Sequence, residues 1–264
     1  MIDKNIKVLN YQVLENGFYF DIDISMCISY NDFLLKKDFL RTSFKCDIEL
    51  EYFNSYVRIY VIQNSVKLNY KFIDLPNYQL LLGYDFKLQP IIADMKICPH
   101  LLISGLPGQG KSSMLKQIIS NLKECDVILF NAYEDDFKGY RIINNLDSIK
   151  SYFSNLRNNL VKKKKVTYLI IDELGLITDK QLLDDIKFIM QVARHYKIYI
   201  VGVIQLALKE NIKFKQLFSS RVSFKQIDTS CYVVSLNTNI TDILEKQQFF
   251  YFGNVLVKGT TYIL

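Results

Sequence analysis

Residues 100–115 read His-Leu-Leu-Ile-Ser-Gly-Leu-Pro-Gly-Gln-Gly-Lys-Ser-Ser-Met-Leu. The stretch from Gly105 to Ser112 fits the pattern G-x-x-x-x-G-K-[ST], and its flanks supply the context the pattern needs. Leu101 to Ser104 read as a buried strand, and Met114, Leu115, Ile118, Ile119 and Leu122 recur at helical spacing after the loop. Glycines at 105, 108 and 110 let successive backbone N–H groups curl inward around a phosphate. The following helix N-terminus favours the same negative charge. Gly105, Pro107, Gly108, Gln109, Gly110, Lys111, Ser112 and Ser113 are therefore the expected nucleotide-binding residues. In such a loop the lysine reaches the β- and γ-phosphates of ATP and the following hydroxyl ligates Mg²⁺.

A second element follows at Val166-Thr-Tyr-Leu-Ile-Ile-Asp172-Glu173, an apolar strand ending in two acids. Asp172 at the strand end would hold the Mg²⁺ shell with Ser112. Glu173 is the natural base for an attacking water. Lys197 to Gln205 is a further buried strand, and its last residue, Gln205, is placed to sense the γ-phosphate or orient water.

The 264 residues are half hydrophobic and 23% charged, which allows a sizeable core and argues against bulk disorder. No apolar run reaches the roughly 18 residues a membrane span requires, and the N-terminus has no signal-peptide pattern. The expectation is a cytoplasmic protein without direct membrane insertion. Five scattered cysteines without C-x-x-C spacing point to reduced thiols used as small apolar fillers, and away from zinc. The net charge of +6 suits a polyanionic partner, or a lysine-rich soluble surface.

Residues 1–80 read as a small α+β domain and 81–264 as the nucleotide-binding domain. The N-terminal part predicts a hairpin turning at Asn16-Gly17, with Asp21 and Asp23 on its wet face. A helix opens at Ser29 and runs to about Ser43, with Phe33, Leu34 and Leu40 inward, and strands follow at 47–52 and 56–63. In the larger part, strands are expected at 126–131 and 166–171 and helices at 146–160 and 179–196. Further strands at 221–224, 232–236 and 249–257 finish the sheet. The alternation of helix and apolar strand predicts an α/β fold with a helix-covered, mainly parallel sheet. The run Lys162 to Lys165 reads as a solvated loop or as a phosphate-contacting patch.

With these residues placed, the chain resembles the FtsK/SpoIIIE family of DNA translocases, within the HerA/FtsK superfamily. Family members carry L-G-x-D-x-x-G-x-P, then P-H-L-L and a hydrophobic residue before the phosphate loop. Here these are Leu82-Gly-Tyr-Asp-Phe-Lys-Leu-Gln-Pro90 and Pro99-His-Leu-Leu-Ile103. The helix ending Ala193-Arg194 and the strand ending at Gln205 match a later family pattern, as do Ser220-Arg-Val-Ser-Phe224 and Ile227-Asp-Thr229. The resemblance covers about residues 82–264, and it extends to the N-terminal part only in the order of elements.

The resemblance implies a RecA-like motor that forms a ring, expected to be a hexamer, around double-stranded DNA, with ATP between subunits. Arg194 or Arg221 would then act in trans on the transferring phosphoryl; Arg194 is equally readable as a cation satisfying a helix end. Lys209, Lys213 and Lys215 are candidates for sequence-independent DNA phosphate contacts. The chain departs from the family at Leu206-Ala207, where Arg-Pro is usual, and at Asn131-Ala-Tyr133, where Asp-Pro-Lys is usual. Chromosome-segregating members carry membrane spans and a C-terminal winged helix, and neither pattern occurs here. The resemblance is therefore to the compact versions on plasmids, phages and integrative elements, with a replication, relaxase or membrane protein as a possible partner. A packaging or extrusion ATPase acting on single strands and a non-hydrolysing nucleotide-binding scaffold are the alternatives.

Overall fold

The computed structural model describes residues 7–24, 29–63, 72–208, 214–240, 242 and 244–262. The chain divides into two compact units, Met1–Lys67 and Leu68–Leu264. Residues 68–80, assigned from sequence to the first domain, thus fall in the larger unit.

In the smaller unit, β1 (Val8–Leu14) and β2 (Gly17–Asp23) form a hairpin, α1 (Tyr30–Leu35) and α2 (Lys37–Phe44) follow, and β3 (Asp47–Phe53) and β4 (Tyr56–Ile62) form a second hairpin. The antiparallel sheet has the order β1-β2-β4-β3. Leu14 pairs with Gly17, so the turn residues are Glu15 and Asn16, one position earlier than the sequence reading. Ser29 and Asp32 form a reciprocal capping box that starts α1. The expected single helix is two, because the chain leaves helical geometry at Lys36. Phe33 is buried and Leu40 packs against the core, but Leu34 is 44% exposed, a correction to its inward placement. Asp21 also departs from expectation. It is buried and accepts two hydrogen bonds from Arg58, at 2.7 and 2.9 Å, while the Arg58 guanidinium lies 3.9 Å from the Tyr19 ring centre. A buried carboxylate is tolerable here because it is paired bidentately.

The larger unit begins with an antiparallel hairpin, β5 (Gln79–Tyr84) and β6 (Pro90–Asp94). It continues through β7 (Leu101–Ser104), α3 (Lys111–Asn121), β8 (Asp126–Phe130), β9 (Arg141–Ile143), α4 (Leu146–Asn158), β10 (Thr167–Ile171), α5 (Lys180–Val192), β11 (Ile198–Ile204), β12 (Ser220–Phe224), α6 (Thr229–Leu236), β13 (Gln248–Phe252) and β14 (Leu256–Thr260). Among the described residues these strands form one sheet of order β6-β5-β14-β13-β12-β7-β11-β10-β8-β9. The run from β12 to β9 is parallel, and β13, β14, β5 and β6 extend it with antiparallel pairs.

The central strands β7, β10 and β11 are buried on both faces, which is why they read as largely apolar runs. Leu101, Ile103, Tyr168 and Ile170 face the core that Met114, Leu115, Ile118 and Ile119 of α3 complete. Leu102, Leu169 and Ile171 face the opposite core, filled by Ile149 and Phe153 of α4 and by Leu182, Ile186, Ile189 and Met190 of α5. Asn145 caps α4 and Asp179 caps α5, each accepting backbone N–H groups of the first turn.

The segment 232–236, read from sequence as a strand, is the second half of α6. Cys-Tyr-Val-Val-Ser-Leu is an apolar run short enough to suit either element. Its ends decide the matter: the Asp228 carboxylate accepts the Cys231 N–H, and Asn237 adopts the left-handed C-cap conformation. The single strand expected over 249–257 is likewise a hairpin, β13 and β14.

Candidate nucleotide-binding site

The order of the parallel strands creates the site. β11 lies between β7 and β10, and β12 lies on the other side of β7. The carboxyl ends of β7, β10 and β11 therefore open on one crevice where the connections diverge, the place where open α/β sheets bind ligands. Gly105 to Gly110 cross that end of β7 before α3 starts at Lys111.

The loop's shape depends on glycine at two points. Gly105 has φ +149°, and a Cβ there would stand 2.6 Å from the Phe224 Cβ. Gly110 has φ +121°, and a Cβ there would meet the Phe224 ring at 3.0 Å and the Gln247 Cα at 3.3 Å. Phe224 ends β12 and lies beneath both glycines. The Gln109 carbonyl accepts the Gln247 N–H at 2.9 Å, and the Leu106 N–H donates to the Lys225 carbonyl at 2.9 Å. Pro107, Gly108 and Ser112 are exposed, with Gln109 and Ser113 partly so. Nothing lies within 4 Å of where a Gly108 Cβ would be, so the front of the loop is open.

Lys111 points into the loop. Its Nζ donates to the Gly105 carbonyl at 2.7 Å and to the Leu106 carbonyl at 3.0 Å. Burial pulls its pKa below the ordinary lysine range, and the nearby charges of Glu173 and Asp172 oppose that. Asp172 follows β10, and burial raises its carboxyl, with Glu173 adding to the effect. Both shifts describe charges partly stripped of water and close to one another, an arrangement that a polyphosphate and a divalent cation would complete. Ser112 and Asp172 are the side chains that would hold Mg²⁺, which would neutralise charge on the phosphates. Among the described residues there is no separate cluster of His, Cys, Asp and Glu fit to hold a metal.

Glu173 sits in the left-handed region at φ +54°, a costly conformation for a residue with a side chain. Its N–H donates to the Asp172 carboxylate at 3.1 Å. Its own carboxylate accepts a short hydrogen bond from Gln205 Nε2, at the end of β11. The structure thus brings Lys111, Asp172, Glu173 and Gln205 together, and the residue expected to act as base is held by the one expected to sense phosphate. If this geometry binds nucleotide through Lys111, Lys111→Ala weakens Mg·ATP binding by about ten- to hundredfold, on the order of one charge-assisted hydrogen bond. Equilibrium titration with a fluorescent ATP analogue measures this, and unchanged affinity removes Lys111 from the site.

The other candidates lie elsewhere. Arg194 is exposed in the turn that precedes the amino end of β11, at the opposite edge of the sheet from the crevice. The run Lys162 to Lys165 precedes β10 at that same edge. Arg221 is 92% buried, since its exposure is 8%, and burial lowers its pKa. Its Nε donates to the Phe218 carbonyl at 2.8 Å, and its Nη1 is buried without a hydrogen-bond partner. Lys209 and Lys213 lie outside the described residues. Lys215 Nζ donates to the Val234 carbonyl at 2.5 Å and to Asn237 Oδ1 at 2.7 Å, and so satisfies the carbonyl end of α6. Phe224, Lys225 and Gln247 were not singled out from sequence as parts of the site. Phe224 ends the Ser220–Phe224 match to the family pattern but carries no polar group that marks a site, and Lys225 and Gln247 lie in no motif; all three sit behind the loop.

Residues 99–227 match the model of a family described as AAA domain. No curated protein sequence matches the chain. Among solved structures, the monomer form of the pCW3 conjugation coupling protein TcpA with ATPγS superposes with a TM-score of 0.65 at 16% identity, over 98% of this chain and 89% of that one. ATPases 2 and 3 of EccC from Thermomonospora curvata match with a TM-score of 0.59 at 12% identity, over 71% of this chain and 41% of that one. EssC ATPases 2 and 3 from Geobacillus thermodenitrificans match with a TM-score of 0.54 at 14% identity and the same coverages, 71% and 41%. Residues 99–227 thus resemble an AAA domain, and the chain shares the P-loop ATPase fold of these solved structures.

Proposed function

We propose that the protein is an ATP-driven motor that moves along double-stranded DNA as a ring-shaped oligomer, a hexamer by resemblance, in the transfer or maintenance of a mobile element. The observation that carries the hydrolytic part is the joint placement of Lys111, Asp172, Glu173 and Gln205 at one crevice. The DNA part draws on the likeness to a conjugation coupling protein along nearly the whole chain and on the net charge of +6.

In this reading Lys111 leaves the Gly105 and Leu106 carbonyls to meet the β- and γ-phosphates of ATP. Ser112 and Asp172 hold Mg²⁺. Gln205 turns from Glu173 to the γ-phosphate, and the freed carboxylate accepts a proton from the attacking water. Arg194, exposed at the far edge of the sheet, is free to serve a neighbouring copy's site. Arg221 would first have to leave the core. Hydrolysis then moves segments that touch DNA phosphates, and Lys209 and Lys213 are the candidates for those contacts. Among the described residues no helix is long and apolar enough to cross a membrane.

Steady-state ATPase activity without DNA, with duplex and with single-stranded DNA, at about 50 and about 200 mM salt, tests this reading. Duplex should stimulate turnover several-fold, and less at the higher salt, because phosphate contacts release counterions. Preference for single strands would replace it with the extrusion ATPase. ATP bound but never hydrolysed would replace it with the scaffold.

A further inference from the structure

Ser104 is the last residue of β7, so its placement sets where Gly105 and the P-loop begin. Its hydroxyl donates to the Val222 carbonyl at 3.1 Å and meets Ser223 Oγ at 3.3 Å. Gln226 Nε2 donates to Ser104 Oγ at 3.1 Å and to Ser223 Oγ at 2.8 Å. Ser235, within α6, donates to the Cys231 carbonyl at 2.9 Å, and its oxygen lies 3.2 Å from Ser223 Oγ, whose hydroxyl can donate to it. The Gln226 N–H donates to the hydroxyl of Tyr232, also in α6, at 3.3 Å. Ser104, Ser223 and Ser235 are fully buried, and Gln226 is 5% exposed. A polar network therefore links the root of the P-loop to α6 through the interior.

Such a network is a poor way to gain stability. Gln226 Oε1 is buried without a partner, a cost that an apolar side chain of the same shape would not carry. The residue it holds, Ser104, directly precedes those that Lys111 grips. Lys111 Nζ binds the carbonyls of Gly105 and Leu106, while Ser104 precedes Gly105 and the Lys225 carbonyl accepts the Leu106 N–H. When Lys111 turns to a phosphate, those carbonyls lose their donor, and the contacts from Ser104, Lys225 and Gln226 remain to hold the loop's shape.

We infer that Gln226 is a positioning residue, which holds the P-loop root through Ser104 and couples its state to α6 through Ser223 and Ser235. The inference rests on the reading that this loop binds ATP. The carbonyl end of α6 is in turn tied to Lys215.

The test uses the whole chain and the variants Gln226→Met, nearly isosteric and without the amide, and Ser235→Ala. Gln226→Met should raise the KM for ATP by about five- to tenfold, the loss of one to two buried hydrogen bonds, with kcat within about twofold. Its thermal midpoint without nucleotide should be unchanged or higher. In the wild type, saturating Mg·AMPPNP should slow hydrogen exchange of the amides at 229–236, and this slowing should vanish in both variants. A lower thermal midpoint with an unchanged KM would make Gln226 merely structural and overturn the inference. A wild type that binds AMPPNP with no change at 229–236 would also overturn it, and leave the nucleotide site standing. A wild type that does not bind AMPPNP would end both. Should Gln226→Met not fold, Ser235→Ala decides by exchange alone.

Discussion

Glu173→Gln lowers the rate of ATP hydrolysis by about 10²–10⁴-fold and leaves nucleotide affinity nearly unchanged, the range expected when a general base is lost. The geometry favours this variant as a clean test. Glutamine has the shape of glutamate and can keep the backbone at φ +54° where Glu173 sits. Its side-chain oxygen can still accept from Gln205 Nε2, as the Glu173 carboxylate does. The ability to take a proton from water is what disappears. Lys111, which would bind the phosphates, stays where it is against the Gly105 and Leu106 carbonyls. Single-turnover hydrolysis with excess enzyme, beside an equilibrium titration with nucleotide, separates the two effects. Undiminished turnover would take the base role away from Glu173, and a matching loss of affinity would make it a binding residue.

Acid should weaken the fold through His100 by about 3 kcal/mol between pH 6.5 and 4, close to two hundredfold in the folding equilibrium. His100 is 1% exposed at the start of β7. Its Nε2 donates to the Met190 carbonyl at 2.8 Å, and its Nδ1 accepts the Ile200 N–H at 2.9 Å, a pairing that only the neutral ring can make. Burial, the dominant cause, lowers its pKa from 6.5 to about 4. Above pH 6.5 neither state binds the proton, and the full stability is present. Below it the unfolded chain takes up a proton that the folded chain refuses, so stability falls until about pH 4, where the folded ring is protonated too. Asp172 works in the opposite sense, because its raised pKa lets the fold bind a proton before the unfolded chain does. Urea unfolding at several pH values, for the wild type and for His100→Asn, isolates the histidine. Asparagine tolerates the positive φ of +62° at this position. His100→Asn should be less stable at pH 7 and lose most of the acid slope, and an unchanged slope would assign acid sensitivity to other groups.

Short-range chemistry accounts for what was readable beforehand. Glycine spacing and flanking periodicity placed the P-loop between β7 and α3, because a tight phosphate-sized curl needs those residue types in that order. Apolar runs revealed β7, β8, β10 and β11, because they lie inside a helix-covered sheet, whereas the short, exposed edge strand β9 left no such signal. Asp172 and Glu173 were visible as acids ending such a run, and Gln205 as a polar end to another. Short apolar segments were less legible. Residues 232–236 suit a strand by composition, and the capping by Asp228, Asn237 and Lys215 that makes them helical comes partly from distant sequence. Asp21 read as a surface acid because its partner Arg58, directly opposite it on the neighbouring strand β4, is 37 positions away in sequence.

The sequence by itself determined the chemistry available: a lysine and hydroxyls at a glycine curl, two acids at a strand end, and alternating elements that must form a covered sheet. Those signals are local, so neighbours along the chain suffice to express them. Only the tertiary structure decided which groups meet. Strand order brought β11 between β7 and β10, and with it Gln205 onto Glu173. The packing of β12 buried Arg221 and set Phe224, Lys225 and Gln226 behind the P-loop. Gln205 and Glu173 are 32 positions apart and Ser104 and Gln226 are 122 apart, and their contacts depend on burial and register, which no short window of sequence contains.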